Sequence, residues 1–159
     1  MKYTPIELRG DHIVKMYELD AEACRQMLAR CTFGRVAFNG DEGLTILPVN
    51  CLFSGDVVLF RAQAGAALDR LDDGRAVAFE ADHIDPISES GWSVLVRGTA
   101  THLTEPERVA ALAGTETHAW APGPHDRWTQ IHPQQITGRI IYRQRLIAEG
   151  ERRSQVPPD

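Results

Sequence analysis

Arg61 closes an apolar run that begins at Val57, and Gly65 follows it by four residues; Ala64, Ala67, Leu68 and Leu71 then recur at three- and four-residue spacing. The pattern predicts a strand that delivers an arginine to a short helix, with Gly65 near its start and Gly74 as its C-cap. A guanidinium beside a helix N-terminus suits an anion. Unpaired N–H groups and the positive end of the dipole face one point, and arginine can clamp a phosphate there. The same residues fit equally well a strand-end arginine on a solvated edge.

The element that must position Arg61 is the hairpin before it. Leu44 to Phe53 and Val57 to Arg61 are rich in aliphatic and aromatic residues, and Ser54-Gly55-Asp56 supplies a short connection with a glycine for positive φ. Pro48 cannot donate to a ladder, so it predicts a bulge or an edge where backbone groups are left for another partner. Asn50 shares its face. An ordinary edge strand with a satisfied polar side chain explains the same two residues. The stretch from Leu44 to Leu71 is where a ligand is expected.

Other chemistries find less support. Cys24, Cys31 and Cys51 are odd in number and lack CxxC spacing, which suggests neither a disulfide framework nor a zinc knuckle. The six histidines form no HxH or HExxH arrangement, so no metal site is expected. No internal repeat, GxSxG elbow or Walker loop is present. Seventeen basic against twenty-two acidic residues give a net charge of -5, which argues against a nucleic-acid binder, since phosphate neutralisation needs a basic face. The chain carries no apolar run long enough to span a bilayer and no signal-peptide core at its start, so no membrane partner and a cytoplasmic location are expected.

At 159 residues with 43% hydrophobic side chains, one domain is the simplest reading. Residues 1–18 read as an N-terminal arm, 19–148 as the folded domain, and 149–159, charged and proline-ended, as a mobile tail. Asp20 is placed to cap a helix whose apolar face is Cys24, Met27, Leu28 and Cys31, and Leu19 and Cys24 stand at the positions of a hydrophobic staple. Thr32 to Phe38 reads as a strand, and Arg75 to Ala81 as one buried on both faces. A polar, turn-rich stretch follows from Asp82 to Gly91. Trp92 to Leu103 alternates, and Gly98 within it predicts a bend or bulge. Thr104 and Glu107 form a capping box for a helix ending near Gly114, an ordered loop containing Trp120 follows, and Ile136 to Arg143 reads as the last strand. About six strands without βαβ alternation predict a small, mainly β antiparallel barrel with peripheral helices. Its interior would be filled by side chains, so a ligand would bind outside, commonly at a subunit interface.

With LPVNCLFSGDVVLFRAQAG, GWSVLVRGTA and ITGRIIYR in order, the chain resembles the pyridoxamine 5′-phosphate oxidase-like family of FMN-binding split barrels, from about Leu19 to Tyr142. The resemblance implies a six-stranded split β-barrel that forms a homodimer, with FMN in two equivalent clefts between subunits. It implies that the flavin ring lies along Pro48, Val49 and Asn50. The phosphate is implied at Arg61 and the residues just after it, with Trp92, Ser93 and Val94 nearby. Relatives commonly carry threonines and a lysine on the phosphate where this chain has Ala62, Ala66 and Ala67. A hydrogen bond to a charged group contributes about 1.5 to 3 kcal/mol, and each 1.4 kcal/mol or so is about tenfold in affinity, so these alanines predict weakened FMN binding.

Two functions follow. The first is an FMN-dependent oxidoreductase in which the protein supplies position and electrostatics to a small-molecule substrate, so that no acid–base pair need be visible. No second phosphate site is apparent, which disfavours pyridoxamine phosphate itself as that substrate. The second is a non-catalytic dimeric barrel with a degraded phosphate site that binds another ligand or cofactor, such as a deazaflavin or haem. The three alanines favour the second; Pro48, Asn50, Arg61, Trp92 and Ser93 favour the first.

Overall fold

The computed structural model describes residues 3–9, 12–62, 65, 67–68, 71, 74–104, 107 and 127–145. Among them are β1 (Tyr3–Arg9), β2 (His12–Leu19), α1 (Ala21–Leu28), β3 (Phe33–Gly40), β4 (Gly43–Ser54), β5 (Val57–Ala62), β6 (Arg75–Asp85), β7 (Ser90–His102) and β8 (Arg127–Arg145). All pairings are antiparallel. The order β8-β5-β4-β3-β6-β7 returns to β8, so six strands close on themselves as a barrel. The mainly β class and the six barrel strands agree with the sequence reading.

Two further strands do not. Within the expected arm, β1 pairs antiparallel with β2, and β2 runs along β8 from His12↔Arg145 to Leu19↔Gly138. Because β7 occupies one side of β8, β2 shares the other side with β5, which pairs only at Arg127 to Ile131. A single long strand therefore carries three neighbours, and it begins at Arg127 rather than near Ile136.

The period-2 alternation of the strands fills the barrel. Val36, Phe38, Val49, Cys51, Val58, Phe60, Val77, Phe79, Val94, Val96 and Ile131 are buried in one cluster. The β4–β5 hairpin turns on Gly55 and Asp56, with φ of 57° and 63°. Two consecutive left-handed residues match the twist of the strands they join. Asp20 Oδ1 accepts from the Ala23 N–H at 2.9 Å and caps α1. Cys24 and Leu28 are buried, with Leu19 and Met27 packed against the core, as the staple predicted. Arg25 Nε lies 2.9 Å from Asp56 Oδ1 and ties the helix to the hairpin turn.

The stretch 82–91 is not an extended turn. β6 and β7 continue through Asp82↔Ser93 to Asp85↔Ser90, and the polar residues there sit on strands. Asp85 Oδ1 accepts from the Ile87 and Ser88 N–H groups and stabilises the short connection. At Gly98 the register against β8 shifts by one residue, from Arg97↔Gln135 to Gly98↔Pro133, which is the bulge expected there. A side chain at Gly98 would collide with the His132 carbonyl.

Between Ala62 and Gly74 the described positions form turns rather than a continuous helix: Gly65 has φ of 78°, and the Leu71 N–H donates to the Leu68 carbonyl at 3.4 Å. Ala64, Ala66 and the other intervening residues lie outside the described ones. So do residues 108–126 and 146–159, with the Gly114 helix end, the Trp120 loop and the tail. The capping box is present in its reciprocal half, Glu107 Oε2 accepting from the Thr104 N–H at 2.8 Å and from its hydroxyl at 2.6 Å. No described helix is long and apolar enough to cross a membrane.

Candidate functional site

The barrel is split between β4 and β5. β5 pairs with β4 only from Cys51 to Ser54, while β3 pairs with β4 along its whole length, from Gly40↔Gly43 to Phe33↔Asn50 with no shift in register. From Gly43 to Asn50, therefore, β4 pairs with no second strand among the described residues. Pro48 sits on that open edge, so of its two predicted roles the structure gives the edge and not the bulge. The outward side chains there are apolar: Leu44 is 92% exposed and Ile46 66%.

Arg61 lies one step past the last β4–β5 pair, Cys51↔Phe60. Continuing that register sets it opposite Asn50, and alternation turns both side chains outward, away from inward-facing Cys51 and Phe60. The Arg61 guanidinium lies over the Trp128 ring, 5.4 Å from its centroid, on the strand pair Arg61↔Trp128. Such contacts contribute about 0.5 to 2 kcal/mol and fix the direction of the cation. Arg61 is half-buried. Trp128 and Leu59, outside the barrel cluster, are nevertheless buried. The structure thus brings Pro48, Asn50 and Arg61 to one outer face, and adds Trp128. Trp128 carried no comparable sequence signal: Trp128-Thr129-Gln130-Ile131 lacks a period-2 alternation, and a glycine- and proline-rich segment precedes it.

The remaining predicted residues divide. Val49, Ala62 and Val94 point into the core, so only their backbone is available to a ligand. Ala67 lines a separate cavity of about 320 Å³ with Asp41, Glu42 and Arg75, and Arg75 Nη1 donates to the Asn39 carbonyl. Two carboxylates beside one committed arginine make that cavity a poor phosphate cradle. Ala66 lies outside the described residues. Trp92, Ser93 and Val94 are on β7, separated from β4 by β3 and β6. At the usual strand spacing that is about 14 Å, so one protomer does not bring them to Pro48.

On the outer face between them, Arg35 Nη1 donates to Asp82 Oδ1 at 2.6 Å and to Glu80 Oε2 at 3.0 Å. Burial and the neighbouring Asp82 raise the Glu80 pKa despite that guanidinium. The thiols are structural: burial pushes Cys51 up to about 12 and raises Cys24 and Cys31, so none is a nucleophile near neutral pH. Among the described residues no cluster of His, Cys, Asp or Glu is arranged to hold a metal.

A flavin needs backbone groups for the polar edge of its ring and a cation for its phosphate. The open β4 edge at Pro48–Asn50 and the adjacent Arg61 fit both requirements, whereas Ala62 and Ala67 add no side-chain contact.

Comparison with known proteins bears on this site. Residues 20–140 match the family model described as pyridoxamine 5′-phosphate oxidase. An uncharacterised protein of Mycobacterium tuberculosis, Rv0080, is 35% identical over 133 residues, covering 80% of this chain and 87% of that protein. The solved structure of the FAD binding protein from Mycobacterium smegmatis is 30% identical with a TM-score of 0.60, covering 79% of this chain and 97% of that one. A crystal structure from Corynebacterium glutamicum shares the fold at 24% identity and a TM-score of 0.65, over 86% of this chain and 97% of that one.

Proposed function

Because the chain belongs to the pyridoxamine 5′-phosphate oxidase family, we propose that it is a flavin-binding protein, acting as a homodimeric flavin-dependent oxidoreductase. The single observation that carries this reading is the open β4 edge at Pro48–Asn50 beside an arginine held over Trp128. Backbone groups of that edge meet the ring's polar atoms, and Arg61 meets the phosphate. The flavin, when bound, supplies the hydride and electron chemistry. The protein holds the ring against a wall, fixes the phosphate and limits water. FMN and FAD both carry a phosphate on the ribityl chain, so Arg61 serves either one; the similarity to an FAD binding protein keeps FAD beside FMN.

The homodimer is part of the proposal. Leu44 and Ile46, exposed on the open edge, form an apolar strip that a second copy covers, and β7 of that copy is the element assigned to the other wall of the cleft. This accounts for Trp92 and Ser93 standing away from Pro48 within one protomer.

A second reading, a non-catalytic barrel holding another ligand such as a deazaflavin or haem, is favoured by one observation: Ala67 opens on the cavity of Asp41 and Glu42, where relatives present polar phosphate contacts. One experiment separates the two. The purified protein is mixed with FMN or FAD, desalted and scanned. A retained flavin band supports the first reading, and a protein that retains neither flavin supports the second.

A further inference from the structure

Among the described residues, the four most exposed large apolar side chains fall in two patches. Leu44 and Ile46 lie on the open β4 edge. Ile84, near the end of β6, and Ile87, in the turn to β7, are 69% and 91% exposed. That turn is held in shape from within. Asp85 Oδ1 accepts from the Ile87 N–H at 2.9 Å and from the Ser88 N–H at 3.3 Å, and the Ser88 hydroxyl donates to Asp85 Oδ2 at 2.6 Å. Glu89 lies 3.6 Å from Arg143 on β8. Both carboxylates of the turn are thus engaged inside the chain, while its isoleucine stands in water on an ordered support, and pre-ordering lowers the cost of binding.

The turn also rims the wall that carries Trp92. Ile84 and Pro86 share a cavity with Trp92 and Ser93, and the last strand pair before the turn, Asp85↔Ser90, lies two residues from Trp92. On the other patch, Ile46 and Leu44 lie two and four residues from Pro48, about 7 and 13 Å at strand spacing. A second copy whose β7 faces Pro48 therefore carries its β6–β7 turn toward one end of β4 or the other. Toward Ser54, β4 is already paired with β5 from Cys51 onward. Toward Leu44 it pairs with no second strand among the described residues, and only in that direction do the apolar side chains of both patches leave water together.

We propose that the β6–β7 turn of each protomer packs Ile84 and Ile87 on the Leu44–Ile46 strip of its partner, so that each cleft is rimmed by a turn from the other subunit. The proposal rests on the homodimer reading above. A two-fold axis repeats the contact, and each copy gives one turn and receives one.

Light scattering after size exclusion, over a dilution series, compares wild type, Ile46→Glu, Ile87→Lys and an equal mixture of the two variants. Both side chains are exposed within the protomer, so neither change disturbs the core. Each variant alone should self-associate at least about tenfold more weakly than wild type, because a lone charge is set in an apolar contact. The mixture should form heterodimers within about threefold of the wild-type affinity, since one of the two contacts then pairs a carboxylate with an ammonium and the other is wild type. A dimer unaffected by either substitution, or two weakened variants that fail to pair when mixed, overturns the proposal and leaves the homodimer standing with another segment over the strip. A wild type that is monomeric with and without FMN overturns both.

Discussion

The guanidinium of Arg61 rests over the indole of Trp128, 5.4 Å from the ring centroid, so an arginine at the end of one strand is aimed by an aromatic residue on the next. Removing the support should loosen the aim without removing the charge. Trp128→Leu is expected to weaken FMN by about three- to tenfold, within the range of a cation–π contact. Trp128 is buried, so circular dichroism and the thermal midpoint must accompany the affinity; a variant that folds and binds FMN as wild type contradicts the role.

The exposed strip of Leu44 and Ile46 tests the dimer. Ile46→Glu places a charge where the second copy is proposed to pack, and at least about tenfold weaker self-association is expected. Light scattering after size exclusion reads it. An unchanged dimer would move the interface elsewhere.

Ala67 offers a gain-of-function test with a twist that the structure adds. A lysine there faces the cavity of Asp41 and Glu42 and pairs with those carboxylates before any ligand. Ala67→Lys alone should therefore leave FMN affinity within about threefold, while Ala67→Lys combined with Asp41→Asn and Glu42→Gln should tighten it by about tenfold or more. Calorimetry on both variants decides.

Burial holds the Cys51 thiol up to about 12, against 9.0 for an exposed one. The native state keeps its proton where the unfolded chain gives it up, so the stabilisation is complete below pH 9.0 and is lost as pH rises toward about 12. Between about pH 8 and about pH 10.5, urea unfolding of the wild type should lose up to roughly 2 kcal/mol more than that of Cys51→Ala. Parallel pH dependences would show that Cys51 is not the group responsible.

The sequence revealed what local chemistry determines. Gly55 marked the hairpin, Asp20 and Leu19 marked the start of α1, and Gly98 marked the bulge, since each solves a problem set within a few residues. Features set by distant partners were hidden. β2 reads as mixed because its partner, the far end of β8, lies more than a hundred residues away. β6 looks like a turn after Ala81 because the polar Asp82 is satisfied by Arg35 on a neighbouring strand, which local polarity cannot show. The site was legible in part for the same reason. Pro48, Asn50 and Arg61 belong to one hairpin, whereas Trp128 reaches Arg61 only through barrel closure.

The most direct test of the central claim is a fluorescence titration of FMN, with riboflavin as the phosphate-free control, into wild type and Arg61→Ala. Saturable quenching of FMN by wild type is predicted, with at least about tenfold weaker binding in Arg61→Ala and riboflavin affinity unchanged. No quenching of FMN by wild type, or superimposable FMN curves for the two proteins, would contradict a flavin phosphate held by Arg61.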